Sequence, residues 1–156
     1  MLETCQSIDQ VKSILKETPR TGGMLIFAAE QNAAKNRAAL LECAPQVVHR
    51  RDLEGECLAG RNHYQSHSTR QPAEVYARNS VERFRAMEAS LTALSHSPKA
   101  EDLIAILANP AVEQHQPDYG TVYSNLACLN QRKYWFTFGG FPAASRGLWK
   151  RVPWPF

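Results

Sequence analysis

The feature that most limits the fold is a change of period two thirds of the way along the chain. From Asn79 to Leu94, Phe84, Met87, Leu91 and Leu94 recur at 3-4-3 spacing, which puts them on one stripe of a helix. From Thr121 to Leu129 and Lys133 to Phe138 the residues become β-branched and aromatic, with Asn130-Gln131 between the two runs. That composition predicts an antiparallel hairpin. A chain that separates helical and strand patterns in this way belongs to the α+β class.

The earlier elements fit the same class. Ser7 to Lys16 predicts a helix, with Ile8, Val11, Ile14 and Leu15 on one face and Ser7 with Gln10 as a capping box. Pro19 and Gly22-Gly23 interrupt it, and Met24 to Ala28 is a short apolar run that suits a strand. Glu30 to Cys43 is ambiguous. Its helix propensity is strong, yet Gln31-Asn32 and Lys35-Asn36 could form a turn between two strands. Val47 and Val48 suggest extended chain towards His49, and Leu53 to Arg61 suggests a loop with a short strand. Asn79 is placed to cap the long helix, with Glu82 three residues on. A further helix is expected from Pro98 to Ala108, capped by Ser97 and ended by Asn109-Pro110. Gly139-Gly140-Phe141-Pro142 stops the hairpin, and the aromatic, proline-rich tail is expected to cover the sheet.

Size and charge exclude several classes. The 156 residues fit one domain, 1–156, and 44% hydrophobic residues could supply its core. Nothing approaches 18 consecutive apolar residues, so no membrane partner is expected. A net charge of +3, with basic residues in short doublets such as Arg50-Arg51 and Lys150-Arg151, argues against nucleic acid. The start MLETCQSIDQ shows no secretory signal. A cytoplasmic location with reduced thiols is therefore expected for Cys5, Cys43, Cys57 and Cys128, which form no CxxC.

Most motifs for chemistry fail. His63 and His67 are four apart, but no helix is evident there and no Glu follows His63, so no metal is expected. No GxSxG elbow and no phosphate loop is present. Asn62 stays open between two readings. Its amide could donate to a developing oxyanion, or it could simply occupy a turn. Arg83, on the flank of the helical stripe, could serve a site or cover apolar neighbours with its stem. Arg85 points away.

The order of several stretches carries more than any one of them. SILKETP, GGMLIFAAE, ALLECAPQVVHRR and CLAGRNHY are followed by NSVERFRAMEASL and then TVYSNLACLNQRKYWFTFGGFP. This succession resembles the C-terminal half of the acyl-coenzyme A:6-aminopenicillanic acid acyltransferase-like, linear-amide hydrolases. Those are cysteine-type N-terminal nucleophile (Ntn) hydrolases, similar also to choloylglycine hydrolases and acid ceramidase. The resemblance implies a partial αββα sandwich, an antiparallel sheet with helices on one face. It reads Met24–Ala29 and Arg37–Ala44 as strands joined by a turn, against local propensity. It makes Asn62 of Asn62-His63-Tyr64 an oxyanion-hole donor and sets His63 and Tyr64 beside the substrate. Within Ser80-Val81-Glu82-Arg83, opening the following helix, it makes Arg83 an active-site residue. Gly140-Phe141-Pro142 matches a structural Gly-x-Pro.

The family's nucleophile is a cysteine freed by self-cleavage, whose own α-amino group is the base. By resemblance it lies upstream of everything present here, and none of the four cysteines takes its place. The implied function is the C-terminal part of an amidohydrolase or acyltransferase, acting on an acyl-amide or acyl-coenzyme A type molecule without a cofactor. The expected partner is the missing N-terminal half, or failing that a second copy, because exposed strand edges invite association. The alternative is a non-catalytic remnant or a small-ligand-binding α+β domain.

Overall fold

The computed structural model describes residues 4–31, 36–60, 62–66, 76–95 and 97–154. It is α+β, with two three-stranded antiparallel sheets and four α-helices among those residues. Two compact units divide the chain, Met1–Val81 and Glu82–Phe156.

In the first unit, α1 spans Ile8–Glu17. Ser7 caps it, its hydroxyl accepting from the Gln10 amide. The expected capping box is displaced by one residue, because the Gln10 side chain accepts from the Gln6 amide at 2.6 Å. Three strands follow, β1 (Met24–Gln31), β2 (Asn36–Cys43) and β3 (Val48–Asp52), in the order β1-β2-β3. Gln31 pairs with Asn36 and Met24 with Cys43, so the ambiguous stretch is a hairpin and its helix propensity is overridden.

Burial explains the override. Residues 39–43 of the central strand are buried without interruption, as happens when both faces of a strand are covered. Leu41, Cys43 and Val48 form a core with Leu15, against which Val11 and Ile26 pack, so α1 covers that face. Gly60, Gln65 and Ser66 lie against the other face, that of Leu40 and Glu42. Gly60 packs so closely on Leu40 and Phe27 that a Cβ would collide with both. Residues 53–60 contain no strand, contrary to the short one expected there. At the rim, Asp9 pairs with Arg50 and Arg37, and Glu30 accepts from Arg37 at 2.9 Å and from the Ile8 amide at 2.6 Å.

Helix α2 spans Tyr76–Thr92 and crosses from the first unit to the second. It begins three residues before the expected cap, so Asn79 is a residue of the helix rather than its boundary. In the second unit, α3 spans Ala100–Leu107. Lys99, not Ser97, is its N-cap, and Asp102 accepts from the Lys99 amide at 2.8 Å. Strands β4 (Asn125–Cys128) and β5 (Lys133–Phe138) make the expected hairpin, joined by a short 3-10 turn and by Arg132 at φ 48°. Gly139 and Gly140 both adopt positive φ and end β5. Much of the tail is part of this sheet rather than a cover for it. As β6 (Leu148–Val152) it pairs with β5 and becomes its third strand. Between them, α4 (Ala143–Arg146) is held by Glu113, whose carboxylate accepts from the Ala144 amide at 2.6 Å and from Ser145 at 3.3 Å.

Candidate functional site

Asn62, His63 and Tyr64 follow the loop that lies on the Leu40 face of the first sheet. Residues 62–66 form no helix, and their polar backbone groups need other partners. Four bonds hold the segment, two through its side chains and two through its backbone amides. His63 Nδ1 lies 2.7 Å from Ser80 Oγ, and Ser80 is buried on α2. The Tyr64 hydroxyl donates to the Cys43 carbonyl at 2.6 Å, at the end of β2. The amides of Gln65 and Ser66 donate to the two carboxylate oxygens of Glu42, at 3.0 and 2.9 Å. The segment is thus tied to α2 and to the central strand, while the Asn62 side chain is exposed at its start. A carboxamide in that position offers two N–H donors to whatever approaches.

Glu42 was not anticipated from the sequence as a group of interest. It is 0% exposed. Its cross-strand neighbours on that face are Leu25 and His49, and Arg51 Nη1 is 3.6 Å from its Oε1. The signal was present in Ala-Leu-Leu-Glu-Cys, where one carboxylate interrupts an apolar run. A burial that continuous is visible only once the sheet is built.

Electrostatics separates the titratable groups. Burial pushes the Cys43 thiol up, only partly countered by the Arg20 cation. Cys43 is therefore a packed thiol, not an activated thiolate. Burial also pushes the Tyr64 phenol up, with Cys43 adding to the effect, so Tyr64 acts as a neutral donor. Arg83 lies in the second unit, half-buried on α2, while Arg85 is exposed. Burial lowers the Arg83 pKa, with Tyr119 opposing the shift, and it remains a cation at neutral pH. It is the eighth residue of α2, not part of the first turn as the sequence suggested.

His67, the second half of the candidate metal pair, lies outside the described residues. Among the described residues no cluster of three or more His, Cys, Asp or Glu could hold a metal ion. No described helix is long and apolar enough to cross a membrane.

A protein-family model, acyl-coenzyme A:6-aminopenicillanic acid acyl-transferase, matches residues 1–143. The chain belongs to this family. The match takes in both β1–β2–β3 and the Asn62 segment, and it extends through β4–β5 to the first residue of α4. Searches of curated proteins and of solved structures gave no match. Membership in the acyl-transferase family points to acyl-transfer or hydrolase-like chemistry for this chain.

Proposed function

We propose that this chain supplies the oxyanion-binding side of a cysteine Ntn site that cleaves or transfers acyl groups at linear amide C–N bonds. The observation that carries the reading is the exposed Asn62 amide at the head of a segment tied to α2 and to β2, in a member of this acyl-transferase family. A preorganised donor of this kind costs no reorganisation when charge develops.

In the proposed cycle the nucleophilic cysteine stands at the head of a separate upstream segment. Its α-amino group takes the thiol proton, and the thiolate attacks the acyl carbonyl. The carbonyl oxygen becomes an oxyanion, to which the Asn62 amide donates. The C–N bond then breaks, the amine leaving with the proton held by the α-ammonium. Water or an acceptor amine releases the acyl group from sulfur, and the thiol is restored. By the family's pattern Arg83 is an active-site cation, and His63 and Tyr64 line the acyl-amide or acyl-coenzyme A site. The complete fold would be the αββα sandwich, with the upstream half or a second copy as partner.

Single-turnover hydrolysis of an acyl-amide by the protein carrying its nucleophile tests this reading. Asn62→Ala is expected to lower the acylation rate by about 10²–10³ and to leave substrate affinity nearly unchanged. Unchanged acylation in a folded variant removes Asn62 from the chemistry.

A second reading is a ligand-binding domain without its own reaction. It is favoured by Cys43, the one fully buried cysteine described, whose thiol is pushed up rather than down. Thermal-shift titration of residues 1–156 with acyl-amides separates the two readings. A strong shift with no acylation of any cysteine, in the presence of the upstream segment, supports binding alone.

A further inference from the structure

The buried carboxylate of Glu42 has no part in the cycle above, yet it sits under the segment that the cycle depends on. Burying a carboxylate costs several kcal/mol, and an apolar side chain of similar size is often as stable or more so. On β2, between Leu41 and Cys43, a leucine would serve packing well. The carboxylate does what a leucine cannot. Its two oxygens take the Gln65 and Ser66 amides, one each, and Arg51 supplies the compensating charge. Charge-assisted bonds of this kind are shorter and stronger than neutral ones.

From this we infer that Glu42 is a positioning residue, which fixes the backbone of residues 65–66 and thereby the direction in which Asn62 and His63 present their side chains. The inference rests on the proposed function for the role of Asn62, but the hold on the segment is a property of the fold itself. It works with the two neighbouring anchors. Ser80 fixes the His63 ring, and the Cys43 carbonyl fixes the Tyr64 hydroxyl. Four consecutive residues, 63–66, are thereby tied down, immediately after the donor.

Glu42→Gln tests this. The amide keeps the shape and one acceptor oxygen, but its NH₂ faces a backbone N–H and cannot accept from it. Two readouts are taken on the complete protein. The first is amide hydrogen exchange at Gln65 and Ser66 against the β1–β2 ladder. The second is kcat and KM for an acyl-amide, beside Leu41→Val as a control that loosens the opposite face of the same strand. Faster exchange at residues 65–66 alone, with kcat falling on the order of 10- to 100-fold at similar KM, is the expected result. Leu41→Val should lower the melting temperature while keeping kcat. Unaltered exchange at Gln65 and Ser66, or faster exchange with unaltered kcat, overturns the inference. If Glu42→Gln does not fold, Ser66→Pro removes one donor without touching β2, and exchange at Gln65 together with kcat then decides by the same outcomes. A wild-type protein that acylates with no amide substrate sinks the proposed function. In that case the exchange result and the His63 ring ¹⁵N shifts of Glu42→Gln still decide whether the carboxylate orients the segment.

Discussion

Tyr64 shows how much a single side chain settles in this chain. Its hydroxyl reaches the Cys43 carbonyl, and the ring passes over Gly23, where a Cβ would fall on the hydroxyl oxygen. Gly23 is thus required by close approach and not by an unusual backbone angle. Gly23→Ala should destabilise by about 1–3 kcal/mol through overpacking. Tyr64→Phe should cost about 0.5–1.5 kcal/mol for the lost bond. Because Phe lacks the oxygen that collides, the double variant should be less destabilised than the sum, with a coupling of about 0.5–3 kcal/mol. Urea unfolding of the four proteins measures this, and strict additivity would mean that the two residues do not meet. The Gly22-Gly23 pair was legible as a break in the helix pattern. Its actual role was not, because the partner lies some forty residues away.

Among the elements, those with a clear period were readable from the sequence and those governed by distant partners were not. The bodies of α1, α2 and α3 and of β1 and β5 follow their apolar spacing, and the Asn130-Gln131 turn lies where its residues suggested. Ser7 caps α1 where its residues place it, but the starts of α2 and α3 were displaced because caps are chosen by geometry. Lys99 with Asp102 outcompetes Ser97, and α2 starts before Asn79. Strand β2 reads as helix by propensity, and only its burial on two faces explains the outcome. The tail residues became β6 because β5 offered an open edge, which is a stronger demand on their backbone groups than covering a face. Helix α4 has four residues and cannot persist on its own propensity. Glu113 holds it, buried, with a carboxylate at its first amides. Glu113→Ala should leave these donors unsatisfied and cost about 1–3 kcal/mol, read as a lower urea midpoint at unchanged slope. A neutral result would show that α4 is held by packing alone.

At the scale of the whole molecule, the family was legible because the order of weak motifs survives where no single motif is decisive. Asn62-His63-Tyr64 and Ser80-Val81-Glu82-Arg83 say little separately, and the family match spans both. What the sequence could not expose is the support beneath the candidate donor. Glu42, Arg51 and Ser80 come from β2, β3 and α2, and only the folded first unit brings them around residues 63–66. The division of labour that results is simple. In the proposed cycle the chain supplies the oxyanion donor, and a cysteine outside residues 1–156 supplies the nucleophile. Intact-mass analysis of the native protein, briefly exposed to an acyl-amide donor and quenched with acid, measures this most directly. The expected result is an acyl adduct on the N-terminal cysteine of an upstream segment, and loss of that adduct in Asn62→Ala under the same brief exposure. An adduct on Cys5, Cys43, Cys57 or Cys128, or a native mass of 17.5 kDa that takes no acyl group, would contradict it.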